Sequence, residues 1–206
     1  MIGRLPKGWT TSRIEGLFRS FSGGTPSKSV ASNWNGTIPW LSSGDIKSDR
    51  IASSTFTIST KGLRASSAKL CRPGSVVVVV RSGILKHTLP VAILDREAAI
   101  NQDIKCFDSG DDALNRWFAM ALRASARDIL AQNREGTTVQ SVKYETLKDF
   151  ELPLPPPAEQ KRILTKLEGL LASVDSCRAR IENTSVFLRR FRQSVLLAAC
   201  SGRLTA

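Results

Sequence analysis

A mixed α/β (α+β) domain followed by one long coiled-coil helix is the fold class that this sequence predicts, and three observations carry it. Residues 75–80 read SVVVVV, a β-branched run short enough to be a fully buried strand. Residues 155–157 are consecutive prolines, which end one structure before the next begins. Beyond them apolar residues recur every seven positions without a further proline.

The elements follow in chain order. Ile14, Leu17, Phe18 and Phe21 fall at i, i+3, i+4 and i+7, with Thr11 or Ser12 as cap and Gly23-Gly24 as stop, so a short amphipathic helix is predicted. Residues 38–41 and the alternating residues 55–58 read as strands, and Pro73-Gly74 as the turn before the valine run. Residues 90–94 and 100–107 predict two more strands. Leu114, Trp117, Phe118, Ala121, Leu122, Ser125 and Ile129 keep a 3.6 period after the capping candidates Ser109 and Asp111, which predicts a helix across 111–131. A turn over 145–150 and an extended segment at 152–154 close the domain. The boundaries expected are a domain over 1–151, a proline elbow over 152–157 and a helical region over 158–206. Proline is tolerated in a helix's first turn and pushes its predecessor toward extended geometry, so this elbow is stiff.

The helix has a seam. Ile163, Leu170, Cys177, Thr184, Phe191 and Ala198 lie seven apart, and Leu167, Val174, Ile181, Leu188 and Val195 follow the same spacing offset by four. Thr184 is the one polar residue in it. A helix over 158–200 is about 65 Å long at 1.5 Å per residue. The first two turns can lie on the domain, but the rest of the seam needs another long helix, from a second copy or a different protein.

The charge narrows the function. Thirty Lys and Arg against eighteen Asp and Glu give +12, with an isoelectric point near 10.1. Residues 1–151 hold 21 basic and 14 acidic side chains, and residues 152–206 hold 9 and 4, so the excess belongs to a folded surface and not to one tail. Nucleic acid is the leading partner, with ribosomal components, acidic proteins and anionic membrane surfaces also compatible. No stretch is apolar for the length of a membrane span, and the first residues lack the apolar core of a signal peptide. Cys71, Cys106, Cys177 and Cys200 are scattered, which suits buried thiols in a cytoplasmic protein and not a disulfide framework.

Catalytic signatures are absent. There is no phosphate-binding glycine loop and no Asn/Asp-Pro-Pro-aromatic turn. Asp45-Ile46-Lys47 and Asp103-Ile104-Lys105 have the shape of a nuclease acid-x-Lys token, but no Pro-Asp pair precedes either at a suitable distance. With a single histidine, His87, neither a metal site nor a catalytic residue is assigned. The residues expected to touch DNA lie in three polar segments. Lys61, Arg64 and Lys69 precede the valine strand, Arg81, Ser82, Lys86 and His87 follow it, and Arg134, Thr137 and Gln140 form the third.

The chain resembles one half of the specificity subunit of type I restriction–modification enzymes. The likeness is carried in order by Leu5-Pro6-Lys7-Gly8-Trp9, Gly23-Gly24-Thr25-Pro26, Ile38-Pro39-Trp40, Gly44-Asp45-Ile46 and Asn101-Gln102-Asp103-Ile104. Gly136-Thr137-Thr138-Val139-Gln140-Ser141 leading to residues 152–160, LPLPPPAEQ, is the most specific block, and residues 198–205 resemble the close of the family's helix. The resemblance implies a target-recognition domain that reads half of a bipartite site in double-stranded DNA, with the helix setting the distance to the other half. It implies modification subunits that methylate adenine using S-adenosylmethionine, and a restriction subunit that uses ATP and Mg2+, with no cofactor on this chain. The familiar subunit carries two recognition domains and two antiparallel helices. Here an antiparallel homodimer through Ile163, Leu167, Leu170, Val174, Cys177, Ile181, Leu188, Phe191 and Val195 would supply the second half, and a truncated or silent form is the other possibility. A stand-alone coiled-coil DNA-binding regulator and a structural adaptor for an acidic partner are the rival readings.

Overall fold

The computed structural model describes residues 5–133 and 141–203. Its elements begin with β1 (Thr10–Arg13), β2 (Arg19–Ser22), β3 (Trp34–Leu41), β4 (Arg50–Ile51) and β5 (Phe56–Ile58). Helix α1 (Thr60–Arg64) leads to β6 (Lys69–Cys71), β7 (Val76–Val79), β8 (Val91–Leu94), β9 (Ala98–Ile100) and β10 (Ile104–Asp108). Then come α2 (Asp112–Ala124), α3 (Ala126–Gln132), α4 (Tyr144–Lys148), β11 (Glu151–Leu154) and α5 (Pro157–Cys200). By contact density the chain forms two compact units, Met1–Gln160 and Lys161–Ala206.

Two sheets build the first unit. One has the order β2-β10-β7-β8-β4 and the other β5-β3-β9-β6, while β1 and β11 pair by themselves. Between the sheets Leu41, Cys71, Val77, Val79, Ile100 and Cys106 form part of one apolar cluster. Val76 and Val78 are equally buried, and α2 packs against β7 and β8. The valine strand is therefore covered on both faces, which is why it reads as a continuous apolar run. Phe118 of α2 sets its ring 5.3 Å from Phe107 and 4.4 Å from Phe18. Each such buried side chain contributes roughly 1.5–3 kcal/mol. Asp111 caps α2, its carboxylate accepting from the N–H groups of Ala113 and Leu114.

Three expected elements are corrected. Residues 14–21 are not an amphipathic helix: a single 3-10 turn at Ile14–Gly16 is followed by β2. Arg13 offers no side-chain cap, and the free edge of β10 takes Arg19–Ser22 into its ladder, pairing Cys106 with Phe21. Both Ile14 and Phe18 remain buried, so the apolar spacing recorded burial and not helix. The strand expected over 100–107 is two strands, because Asn101 and Asp103 bond each other across a turn, Asp103 N–H to Asn101 Oδ1 at 3.0 Å. The helix expected over 111–131 breaks at Ser125 into α2 and α3.

Of the thiols, Cys71 and Cys106 are buried and Cys177 and Cys200 exposed, so the buried expectation is corrected for the latter pair. Both lie on α5, where the apolar seam is itself open to solvent. Hydrogen bonding with Cys106, then burial, push the Cys71 thiol up and leave it inert. At the end of the first unit, Trp117 Nε1 donates to the Pro153 carbonyl at 2.7 Å and Trp9 Nε1 to Glu159 Oε2 at 3.2 Å. These bonds tie β11 to α2 and the first turn of α5 to the segment before β1.

Helix α5 runs unbroken for 44 residues, about 65 Å. Its seam is open: Ile181 is 69% exposed, and Leu170, Val174, Leu188 and Phe191 are at least half exposed. Cys177 is exposed too. Thr184 Oγ1 donates to the Arg180 carbonyl at 2.8 Å, so the seam's polar residue is satisfied within its own helix.

Candidate nucleic-acid interface

The hairpin from β7 to β8 places a compact basic loop at the end of the buried valine strand. Val78 pairs with Val91, and the chain between them folds into a 3-10 turn at Gly83–Lys86. Ser82 Oγ accepts from the Ile84 N–H at 3.4 Å, and the His87 N–H donates to the Ile84 carbonyl at 2.9 Å. Leu85 and Leu89 point into the core, which anchors the loop. Arg81, Lys86 and His87 are left facing solvent. Four sequence candidates thus come together on one rigid turn, with Ser82 partly committed as its cap.

Arg81 is further held. Its N–H donates to the Asp103 carbonyl at 3.3 Å, its Nε lies 3.6 Å from Asp103 Oδ1, and its side chain stays 67% exposed. An exposed pair of this kind contributes under about 1 kcal/mol, so the guanidinium can exchange Asp103 for a phosphate at little cost. Lys69 stands on β6, opposite Ile100 of β9, and β9 leads directly into the Asn101–Asp103 turn that holds Arg81. Its ammonium sits 5.7 Å from the Phe21 ring. Lys61 and Arg64 are elsewhere: both lie exposed on α1, which packs on β3, β5 and the 3-10 turn at Ala31–Asn33. Arg134, Thr137 and Gln140 lie outside the described residues, but their neighbour Ser141 bridges to Arg81.

The fold adds two residues that sequence reasoning missed. A cleft of about 520 Å³ beside the basic loop is lined by Lys47, Ser48, Ile84, Thr88 and Arg123 among others. Ile84 is 44% exposed at the tip of the turn, between the basic side chains. Lys47 comes from the β3–β4 connection and faces solvent. Only the fold could bring it here, because it is far from residue 84 in the chain and its local sequence, an acid-x-Lys token, does not mark it as a DNA contact. Arg123, by contrast, is structural: it donates to the Asp49 carbonyl at 2.9 Å and the Val91 carbonyl at 3.0 Å. Burial lowers its pKa, with Asp49 opposing.

Neither acid-x-Lys token has the form of a nuclease site. Asp45 accepts the backbone N–H and hydroxyl of both Ser42 and Thr55. Burial works to raise its carboxyl, but bonds from Thr55 and Ser42 outweigh it and hold it below the usual range. Lys105 lies over the Tyr144 ring at 3.6 Å. Among the described residues, no cluster of His, Cys, Asp and Glu could hold a metal ion, and no helix is long and apolar enough to cross a membrane.

The chain thus combines a basic α+β domain, which holds an anchored Arg/Lys loop, with a long helix of heptad spacing. Comparison with known proteins makes the class specific. Residues 6–184 match the family described as "Type I restriction modification DNA specificity domain", and the chain belongs to that family. It is 35% identical over 150 residues to the EcoR124I/EcoR124II specificity subunit of Escherichia coli, a match covering 72% of this chain and 37% of that protein. It is 29% identical over 214 residues to the StySPI specificity subunit of Salmonella potsdam, covering 98% of this chain and 45% of that one. The fold matches a solved structure of a type I R-M system with a TM-score of 0.71 at 22% identity, over 96% of this chain and 47% of the other. It also matches the HsdS subunit of Thermoanaerobacter tengcongensis with a TM-score of 0.60 at 21% identity, over 84% and 40%. The chain thus spans less than half the length of these relatives. The two sequence relatives are named as specificity subunits of type I restriction enzymes.

Proposed function

We propose that the chain reads half of a bipartite site in double-stranded DNA through the loop at residues 81–87, and that α5 pairs antiparallel with α5 of a second copy to set the distance between half-sites. The anchored loop carries this reading. Leu85 and Leu89 fix it to the core while Arg81, Lys86, His87 and Ile84 face outward, so basic groups for phosphates surround an apolar group suited to a thymine methyl. Lys47 and Lys69 extend the proposed phosphate-contacting surface, with Lys61 and Arg64 on a second patch, and Arg134, Thr137 and Gln140 remain candidates outside the described residues. The open seam supports the second half of the proposal, because exposed Leu170, Val174, Ile181, Leu188, Phe191 and Val195 form a continuous apolar row that water leaves unsatisfied.

Two identical readers related by a two-fold axis recognise a palindromic bipartite site. The prolines at 153–157 act as a stiff elbow that converts helix length into half-site spacing. Modification subunits carrying S-adenosylmethionine, and a restriction subunit using ATP and Mg2+, are the proposed partners. Selection of bound duplexes from a random pool tests the reading: enriched inverted half-sites at a fixed separation are expected. Binding without sequence preference, or half-sites at variable separation, would contradict it.

A further inference from the structure

A second cleft, walled by aromatic rings, lies on the second sheet and away from the basic loop's strands. Trp34, Trp40, Phe56, Lys28 and Asn35 line a cavity of about 290 Å³, at the lower end of the size of small-molecule sites. The rings are ordered against one another: Trp34 meets Trp40 edge-on at 5.3 Å and Phe56 at 6.1 Å. Both indole N–H groups are already committed, Trp34 to the Ser27 carbonyl at 3.1 Å and Trp40 to the Gly24 carbonyl at 3.0 Å. The cleft therefore offers ring surface and not indole donors. Phe56 leaves 54% of its surface to solvent although its strand is part of the sheet.

The polar rim is equally specific. The β3–β5 ladder shifts register between Trp34 and Ile38, and Asn35 within that irregularity has φ 57, the one left-handed non-glycine among the described residues. Irregularities of this kind re-aim side chains. Here the result is an exposed amide at the mouth of an aromatic cleft. Among the described residues no hydrogen bond or ion pair occupies the Asn35 amide or the Lys28 ammonium, and both face solvent.

We infer that this cleft binds an unstacked nucleotide, with the base against Phe56 and Trp34, its hydrogen-bonding edge at Asn35 and its phosphate at Lys28. The chemistry selects this class. Aromatic surface accepts the π-face of any base, an amide pairs with a base edge, and the ammonium, on a chain of net charge +12, favours an anion. The same ammonium opposes a methylated cation, the other usual occupant of aromatic cages. This site is separate from the duplex-reading loop, so either assignment can fail without the other.

Trp34 and Trp40 are two of the chain's four tryptophans, and substitutions at their cleft isolate their share, so tryptophan emission of the full chain, titrated with dAMP, dTMP and a short single-stranded oligonucleotide, is the test. Saturable quenching is expected. Phe56→Ala should weaken it about tenfold, in line with the loss of one stacking partner. Lys28→Ala, at an exposed position with no fold to disturb, should weaken it and flatten its salt dependence. Asn35→Gly, which suits the left-handed backbone, should keep quenching and reduce the difference between the two monophosphates. Affinity for duplex DNA should stay unchanged in all three variants. Absence of saturable quenching in the parent chain, or quenching unaltered by both Phe56→Ala and Lys28→Ala, would overturn the assignment. So would quenching by an acidic aromatic peptide with none by nucleotides, which would mark a protein-docking site.

Discussion

In the first unit most large apolar side chains turn inward, with Phe107, Phe118, Ile100 and Leu122 fully buried, whereas on α5 Ile181, Phe187 and Leu197 remain about two-thirds exposed. Both regions are rich in apolar residues, and the difference lies in what is available to cover them. Two sheets and α2 close around the first core. A single helix of 44 residues has no such cover along most of its length. One region buries its apolar core by itself, and the other leaves its apolar row open, as the proposed pairing requires.

Substitutions that touch only one region break this comparison most sharply. Ile181→Asp with Leu188→Asp should abolish self-association, a loss of roughly 6–12 kcal/mol from four seam side chains, two in each copy. Thermal unfolding of the first unit should stay unchanged, as read by near-ultraviolet circular dichroism. Phe118→Ala should do the reverse. It deletes the ring between Phe18 and Phe107 and should cost the domain about 3–5 kcal/mol in denaturant titrations, with helix pairing retained.

The basic loop sits between these extremes. Arg81→Ala with Lys86→Ala should weaken DNA binding about tenfold or more and reduce the salt slope by about two, one for each phosphate contact removed. Unchanged affinity and slope would remove the loop from the interface. Asp45 gives a smaller, pH-dependent effect. Its folded pKa is lowered from 3.8, so its stabilisation is fully present above that value and is lost as the pH falls through the folded pKa. Asp45→Asn should cost about 1 kcal/mol at neutral pH, and the gap in melting temperature from the parent chain should close as the pH falls below 3.8 and through the lowered folded pKa. The smallest change is Gly169→Ala. Nothing lies within 4 Å of the added methyl, so the helix should gain about 1 kcal/mol and self-association should tighten several-fold.

The parts legible in the sequence were those set by local periodicity. The valines of β7 and the seven-residue spacing of Ile163 through Val195 need no knowledge of neighbours to be read. Residues 14–21 were not legible, because their apolar spacing fits a helix while the open edge of β10 decides the outcome. Of the proposed interface, the basic residues around Arg81 could be picked out by charge, but Lys47 and Ile84 could not. They meet only in the cleft that the β3–β4 connection and the 3-10 turn form together. The aromatic cleft was hidden for the same reason: Trp34, Trp40 and Phe56 meet only because β3 and β5 pair.

Pairing of two copies through the exposed seam is read out by the solution mass of the full chain. Light scattering across a concentration series should give twice 22.5 kDa, falling to the single-chain mass in the Ile181→Asp, Leu188→Asp variant. A parent chain that stays at 22.5 kDa at every concentration would contradict pairing between copies and leave the seam to the helix of a different polypeptide.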